Sequence, residues 1–190
     1  MPSIAGVLLA AGESRRFGGR KLLHALPGGG TIGKRSAAAL AAAVDRAVAV
    51  LAPDDAELAE VMRSAGLEVC CCPDAREGMG ASLACGVRAT ADADGWVVAL
   101  ADMPYVKPAT IAAVADALRS GAALAAPVHA GRRGHPVGFT RTYYRDLIAL
   151  SGDEGARRIL QRDAAHMRLL PVDDPGIHRD IDTPDDIPPC

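Results

Sequence analysis

The sequence predicts an α/β protein built from βαβ units around a mostly parallel sheet. Short runs rich in Val, Leu and Ala alternate with alanine-rich helical patterns, which is the order typical of such units. Hydrophobic residues make up 49 % of the chain and aromatic residues only 3 %, so Ala, Val, Leu and Ile must form the core. Small aliphatic residues suit helices that pack closely on a parallel sheet. The length of 190 residues predicts one domain spanning residues 1–190.

The individual elements follow from this alternation. Strands are predicted at 4–10, 47–51, 67–72, 96–100, 124–128, 137–140 and 167–172. Helices are predicted at 35–43, 54–65, 81–91, 108–120, 143–150 and 154–162. Pro108 suits a first helical turn, and Gly66 and Gly121 lie where helices commonly end.

Composition excludes several classes of partner. The net charge of −2 gives no general attraction to nucleic acid or to an anionic membrane. No apolar stretch approaches the ~20 residues that a membrane span needs. The N-terminus lacks the basic start of a signal peptide. We therefore expect a cytoplasmic protein with neither nucleic-acid nor membrane partners.

The cysteines do not form a recognisable framework. There are five, three of them adjacent at Cys70, Cys71 and Cys72, with neither a disulfide pattern nor the C-x-x-C spacing of a metal site. Alternate residues of a strand point to opposite faces, so three adjacent thiols do not easily share one tetrahedral ion. We expect them to be small buried residues.

The most informative segment is the turn after the first predicted strand. Gly12, Gly18 and Gly19 allow the backbone to approach a ligand closely and to turn N–H groups towards it. Arg16 and Lys21 add positive charge where phosphate oxygens would lie. Because ligands of open α/β sheets lie beyond the carboxyl ends of strands, this turn predicts a polyphosphate site.

Two other phosphate-binding motifs match the sequence only in part. Residues 28–34 match the G-x-x-x-x-G-K spacing of a P-loop, but Arg35 stands where that motif needs Ser or Thr. The preceding residues 22–27 do not form a convincing buried strand, so we interpret Gly28 to Gly30 as a flexible turn. The first turn also lacks the G-x-G-x-x-G spacing of a dinucleotide-binding fold.

Two acidic positions suit a cation that would accompany a polyphosphate. Asp102 follows the buried run 97–101, and Asp182, or its neighbour Asp180, lies in an acidic segment near the C-terminus. Magnesium is commonly held by one or two carboxylates together with phosphates and water. The two acids are also explained by turn and capping roles, for which Asp is common.

These residues carry a resemblance to a known family. Leu9, Ala10, Ala11, Gly12, Ser14, Arg16, Gly18 and Lys21 resemble the L-A-A-G-x-S-x-R-x-G…K signature of sugar-phosphate and molybdenum-cofactor nucleotidyltransferases. Further matching segments are 78–83, 102–104, 134–137, 152–157 and 180–186. Together they resemble the motifs of molybdenum-cofactor cytidylyltransferases within the MobA-like nucleotidyltransferase family.

The resemblance implies a fold, a reaction and a site. It implies a three-layer α/β/α Rossmann-like domain that transfers a nucleotide from an NTP to a phosphorylated acceptor and releases pyrophosphate. Arg16, Lys21 and Asp102 would be catalytic, and Asp102 with Asp182 would hold Mg²⁺. The implied nucleotide-binding residues are Leu9, Ala10, Ala11, Gly12, Ser14, Arg16, Lys21, Gly78 and Ser82.

The resemblance also bears on the two substrates. Ala11 stands where guanylyltransferases of the family usually have glycine, and its Cβ favours a pyrimidine, hence CTP. His135, in a loop flanked by Arg132 and Arg133, is expected to meet a molybdopterin-type acceptor. Cys72 replaces an asparagine that is common in the family, which removes an amide that can donate and accept hydrogen bonds. A molybdoenzyme or its chaperone is an implied protein partner.

Three alternatives remain open at this point. The first is the same chemistry with GTP or with another phosphorylated acceptor. The second is a non-catalytic module that binds the pterin, and the third is a nicotinamide-dependent oxidoreductase.

Overall fold

The first strand, β1 (Ile4–Leu9), is buried along almost its whole length and lies inside the sheet. The computed structural model describes residues 1–12 and 14–188. The other strands are β2 (Arg46–Leu51), β3 (Glu68–Cys71), β4 (Gly95–Leu100), β5 (Leu124–His129), β6 (Arg132–Arg133), β7 (Val137–Thr140) and β8 (Met167–Pro171). The helices are α1 (Ile32–Ala41), α2 (Ala56–Ser64), α3 (Met79–Ala89), α4 (Pro108–Arg119), α5 (Tyr144–Ile148) and α6 (Arg157–Arg162).

The strands form one mixed sheet in the order β3-β2-β1-β4-β7-β5, with β6 and β8 both paired to β5. Strands β1 to β4 are parallel to one another, whereas β7 is antiparallel to both of its neighbours. Leu9 at the end of β1 pairs with Leu100 at the end of β4. This register brings the loop after β1 beside the residues that follow β4.

Helices cover both faces of the sheet, so the three-layer α/β/α expectation is confirmed. One core contains Leu40 of α1, Met62 of α2 and Ile111 of α4. The opposite core contains Val87 of α3 and side chains of α5 and α6. Residues of β1 alternate between the two cores, as expected for a strand buried on both faces.

Helix α3 lies unusually close to the sheet because its residues are small. A Cβ added at Gly86 would lie 2.5 Å from a methyl carbon of Val7 in β1. The core composition that the sequence predicted, rich in Ala and Val and poor in aromatic residues, therefore corresponds to close packing of helix against strand.

Two helices begin three residues away from the predicted start, each for a local reason. Helix α1 begins at Ile32 rather than at residue 35, because the Thr31 hydroxyl accepts a hydrogen bond from the Lys34 N–H at 3.3 Å and caps the helix. Helix α6 begins at Arg157 rather than at residue 154, since Gly155 has a left-handed φ of +53°. The two-residue strand β6 was not predicted. Within the described part of the chain, no helix is both long and apolar enough to span a bilayer.

The expectation that Cys70 to Cys72 are all buried is wrong for one of them. Cys72 is buried and Cys70 is half-buried, but Cys71 is exposed. Strand β3 pairs only with β2 and lies at the edge of the sheet. Side chains alternate along this strand, so the Cys71 thiol points away from the packed face that Cys70 contacts. The Cys70 Sγ lies 3.4 Å from the Sγ of Cys85 in α3.

Candidate active site

The loop after β1 forms the first wall of a cleft, and we call its described residues, 10–12 and 14–21, the signature loop. Two short 3₁₀ helices, Arg15–Phe17 and Lys21–Leu23, shape it, with left-handed backbone at Ser14 and Gly18 between β1 and the second helix. The guanidinium of Arg20 pairs with the carboxylates of Asp55 and Glu57 at the start of α2. These contacts hold the outer side of the loop against the sheet edge.

Charged side chains that are distant in sequence converge beside this loop. The Lys21 ammonium nitrogen lies 2.8 Å from Oδ2 of Asp102 and 3.7 Å from Oδ1 of Asp182. The Arg16 guanidinium contacts the other oxygen of Asp182 at 2.8 Å. The Lys21 side chain is only 10 % exposed, whereas that of Arg16 is 75 % exposed. The four residues predicted as catalytic or metal-binding therefore lie together.

Hydrogen bonds of backbone N–H groups position Asp182. The Ile181 N–H donates to the Asp102 carbonyl oxygen at 2.9 Å, which ties the C-terminal segment to the loop after β4. The Asp186 carboxylate then accepts hydrogen bonds from the N–H groups of Asp182, at 3.0 Å, and Thr183, at 2.7 Å. These donors, above all the Thr183 N–H, lower the pKa of Asp186. Asp186 thus fixes the segment, while Asp182 faces Lys21.

The cleft beside the signature loop has a cavity volume of about 480 Å³. The predicted residues that line it are Leu9, Ala10, Ala11, Gly12, Ser14, Lys21, Gly78, Ser82 and Asp102. A second cavity of about 460 Å³ adjoins it on the side of α2. The two cavities share Gly12, Lys21 and Arg76, so they form one continuous depression across the signature loop.

The start of α3 forms the opposite wall of the cleft. The Gly80 N–H donates to the Gly152 carbonyl oxygen at 2.7 Å, so residues 151–155 lie directly on this helix turn. A Cβ on Gly80 would lie 2.6 Å from the Ser151 carbonyl oxygen. The predicted residue Ser82 donates its hydroxyl to the Gly78 carbonyl oxygen at 3.3 Å, which stabilises the same turn.

Several cleft residues were not predicted from the sequence. Arg76 and Met79 line the cavity on either side of Gly78, and Asp153 reaches it from the 151–155 segment. Asp153 belongs to a segment, 152–157, that carried the family resemblance. That match was the one available signal, and it did not indicate which side chain would enter the cleft.

His135 does not line this cleft, and its side chain is half-buried. It lies between β6 and β7, where it borders a separate small cavity of about 10 Å³ with Ser36 and Met103. Its Nδ1 is buried and has no hydrogen-bond partner among residues 1–12 and 14–188. Burial lowers the pKa of His135, and the nearby Arg133 lowers it further. Its role towards an acceptor stays a prediction.

Few of the described side chains beside Asp102 and Asp182 can act as metal ligands. Within the described ranges, no three or more His, Cys, Asp or Glu side chains form a group that could hold a metal ion. The described residues offer two carboxylates there, Asp102 from the middle of the chain and Asp182 from its C-terminal segment. Two carboxylates are a typical protein contribution for Mg²⁺, which keeps several water or phosphate ligands.

A mostly parallel α/β sheet, a basic glycine-rich loop after β1 and two converging carboxylates, one in the loop after β4 and one in the C-terminal segment, define an enzyme that handles a nucleoside polyphosphate. The chain belongs to the MobA-like NTP transferase domain family, whose model matches residues 6–168. It is accordingly a nucleotidyltransferase.

Two relatives match almost the whole chain. The purine catabolism protein PucB of Bacillus subtilis is 34 % identical over 202 residues, which cover 97 % of this chain and 94 % of PucB. The nicotine blue oxidoreductase of Paenarthrobacter nicotinovorans is 30 % identical over 195 residues, which cover 96 % of this chain and 94 % of that protein.

Solved structures show the same fold. Rv0371c of Mycobacterium tuberculosis is 31 % identical with a TM-score of 0.80, over 97 % of this chain and 95 % of that one. A structure of Rv0371c in complex with manganese superimposes with a TM-score of 0.79 at 28 % identity, over the same shares. A nucleotidyl transferase from Methanothermobacter is 25 % identical with a TM-score of 0.81, over 97 % of this chain and 94 % of that one.

Proposed function

We propose that this nucleotidyltransferase uses Mg²⁺ to transfer CMP from CTP to the phosphate of a molybdopterin-type acceptor, with release of pyrophosphate. The observation that carries the proposal is the position of the Lys21 ammonium between the carboxylates of Asp102 and Asp182. Two acids that are 80 positions apart in the sequence, and are tied together through the Ile181 N–H, thereby face one cation position.

In this proposal the signature loop binds the triphosphate. Gly12 and Lys21 line the cleft, and Arg16, which does not line it, contacts Asp182 beside Lys21. The Gly12 N–H and the two cations would neutralise phosphate oxygens there. Lys21 is nearly buried, and the smaller water screening there strengthens its attraction for phosphate oxygens. Lys21 then exchanges its carboxylate contact for one to the nucleotide.

Asp102 and Asp182 would hold the Mg²⁺ ion, and the structure of Rv0371c in complex with manganese supports a divalent cation in this fold. When bound, the ion neutralises charge on the transferring phosphate and on the leaving pyrophosphate. The Ile181 N–H bond to the Asp102 carbonyl keeps the two carboxylates at a fixed separation.

The protein needs no strong general base for this reaction. The acceptor phosphate is already anionic near neutral pH, and it attacks the α-phosphorus in line with the leaving pyrophosphate. Phosphoryl-type transfers depend mainly on positioning and on electrostatic stabilisation. Both are supplied here by the charged side chains of the signature loop and by the two acids.

The choice of CTP rests on Ala11, which lines the cleft. A methyl group at this position occupies space that the larger purine base would need, and it therefore favours a pyrimidine. The molybdopterin acceptor and a molybdoenzyme or its chaperone as recipient rest on the sequence motifs alone.

A direct assay tests the assignment. We expect pyrophosphate release when the protein is incubated with Mg²⁺, molybdopterin and CTP, and far less release with ATP, GTP or UTP. Release with GTP alone contradicts the cytidylyl assignment but retains nucleotidyl transfer. Omission of molybdopterin is the control for simple hydrolysis of the nucleotide.

Two alternatives have distinct outcomes. A non-catalytic pterin-binding module predicts no dependence on NTP and unchanged pterin affinity in Asp102→Ala. The name of the Paenarthrobacter relative keeps an oxidoreductase in consideration. A fluorescence titration with NADH and NADPH decides that case, because saturable binding at micromolar concentrations would favour it.

A further inference from the structure

We propose that Asp153 is a recognition residue for the amino-bearing edge of a heterocyclic ring bound in the cleft. This inference rests on the proposed function, because it names what part of a substrate lies against the α3 wall. It concerns a residue outside the signature loop and outside the converging acids.

Close packing of residues 151–155 on α3 brings Asp153 to the cleft. Residues 151–155 approach α3 so closely that side chains are excluded at two positions of its first turn. A Cβ on Gly80 would lie within 3.0 Å of backbone atoms of Ser151 and Gly152, and one on Gly78 would collide with the Asp153 carboxylate. The carboxylate therefore lies immediately against the backbone at the start of α3, where it lines the cavity.

The Asp153 carboxylate shares its cavity with several apolar side chains. Met79, which lies beside Gly78, is 46 % exposed and lines the same cavity. Leu9, Ala11, Ala75 and Leu100 add further apolar lining. A thioether and short aliphatic groups suit the face of a planar ring, and a carboxylate at the edge of that surface accepts hydrogen bonds from ring N–H and amino groups.

The phosphates of a bound nucleotide are an unfavourable partner for the Asp153 carboxylate. Gly78, Met79, Ser82 and Asp153 line only the first cavity, whereas Lys21 lines both cavities. A carboxylate next to a triphosphate would repel it, and of the cations that line the cavities, Lys21 belongs to the signature loop and Arg76 lines both cavities. The heterocyclic end of a substrate is the part that gains from Asp153.

The recognised chemistry is an amino group on a nitrogen heterocycle, alone or next to a ring N–H. Cytosine and guanine of the nucleotide carry such an edge, and so does the pterin of the proposed acceptor. Uracil, hypoxanthine and lumazine are matched rings in which the amino group is replaced by oxygen or hydrogen. These analogues allow the source of the ring to be determined separately from turnover.

The test is equilibrium binding by isothermal titration calorimetry, with Mg²⁺ present for the nucleotides. CTP is compared with UTP, GTP with ITP, and pterin with lumazine, each on the wild type and on Asp153→Ala. We expect the wild type to prefer the amino-bearing member of one pair by about tenfold or more, as for a hydrogen bond to a charged group. Asp153→Ala should lose that preference and retain the affinity for the deamino member. The pair that responds identifies whether the ring belongs to the nucleotide or to the acceptor.

Two further variants separate recognition from general damage. Asp153→Asn retains one oxygen acceptor without the charge, so it should show an intermediate preference. Glu154→Gln changes the neighbouring carboxylate, which pairs with Arg158 instead of lining the cleft, and should bind every ligand as the wild type does.

Equal affinities of Asp153→Ala and wild type for all six ligands overturn the inference. So does an equal loss for both members of each pair, which indicates a structural effect or a contact with a part that the two members share. Because binding is measured without turnover, absence of pyrophosphate release contradicts the proposed function and leaves this result unaffected.

Discussion

The two walls of the cleft are held by different forces. On the signature-loop wall, Lys21 and Arg16 are fixed by ion pairs with Asp102 and Asp182. On the α3 wall, position is fixed by backbone contact, with the Gly80 N–H donating to Gly152 and no space for a side chain. Charge can therefore be altered on the first wall without steric change, whereas on the second wall even one methyl group must move the backbone.

The largest expected effect is on the charged wall. Asp102→Asn retains the shape of the side chain and removes its charge, so we expect the wild-type fold with a kcat lower by about 10²–10³-fold. The measurement is pyrophosphate release at saturating nucleotide, together with thermal unfolding. Asp116→Asn, on the outer face of α4 beside Arg119, is the matched control. A kcat within twofold of the wild type for Asp102→Asn would remove this acid from the mechanism.

Lys21→Ala should weaken the use of the nucleotide and strengthen the binding of a metal ion at the same wall. Loss of the ammonium removes a charge-assisted contact to phosphate, so kcat/KM for the nucleotide should fall about 10–100-fold. The same change leaves Asp102 and Asp182 without the cation that lies between them. Binding of Mn²⁺ in the absence of nucleotide should therefore become tighter, which calorimetry measures.

The control for this variant is Lys34→Ala, which changes an exposed lysine of α1. Weaker Mn²⁺ binding in Lys21→Ala than in the wild type would mean that the two carboxylates do not share the position occupied by the ammonium group.

Much of the charged wall is predictable from the sequence, and the reason is topological. The signature loop and Asp102 each follow a buried strand, and parallel neighbouring strands end at the same edge of a sheet. The pairing of Leu9 with Leu100 realises this expectation. Asp182 follows no strand, and its choice over Asp180 rested on the motif, because its position depends on the Ile181 N–H bond to Asp102 and on the hydrogen bonds that Asp186 accepts.

The α3 wall is less predictable, because it depends on contacts between loops. Segment 78–83 carried the family resemblance and Gly78 was implied as a nucleotide-binding residue, but nothing in that segment identified Ser151 to Asp153 as the residues that cover it. His135 illustrates the same limit. Its position in a loop beside Arg132 and Arg133 led to the prediction that it meets an acceptor, whereas the His135 N–H bond to the Ile177 carbonyl oxygen, 42 positions away in the sequence, holds it where its Nδ1 is buried.

Gly80→Ala tests whether the α3 wall is held sterically. The added methyl group would meet backbone oxygens of Ser151 and Gly152 at 2.6 Å and 2.9 Å, and backbone cannot rotate away as a side chain does. We expect a loss of about 1–3 kcal/mol in the free energy of unfolding, with a displaced Asp153 and a higher KM. Chemical denaturation provides the first quantity.

The matched control for Gly80→Ala is Gly19→Ala, because an added Cβ at Gly19 meets nothing within 4 Å. Its free energy of unfolding should stay close to that of the wild type. Equal free energies of unfolding for Gly80→Ala and Gly19→Ala would show that the 151–155 segment can move away from α3 without loss of stability.

The smallest expected effect concerns the thiol behind the α3 wall. The buried Cys72 Sγ lies 3.8 Å from the Ala81 carbonyl oxygen of α3, and burial raises the pKa of this thiol to about 11 from the usual value of 9.0. The unfolded chain therefore loses this proton at a lower pH than the folded protein does. The protonated Cys72 thiol therefore contributes to the free energy of unfolding. This contribution is complete below about pH 9, and it decreases as the pH rises through about 11.

Denaturation by urea at pH 8 and at pH 10.5 measures this contribution. Other groups also titrate in this range, so the informative quantity is the difference between the wild type and Cys72→Ala. We expect the wild type to lose more stability than the variant over this interval, because only the wild type carries the thiol whose ionised form the fold disfavours. A parallel decline of the two proteins would mean that the Cys72 thiol is as well hydrated as in the unfolded chain, so that the packing of β3 against α3 at this point is looser than the contact to Ala81 implies.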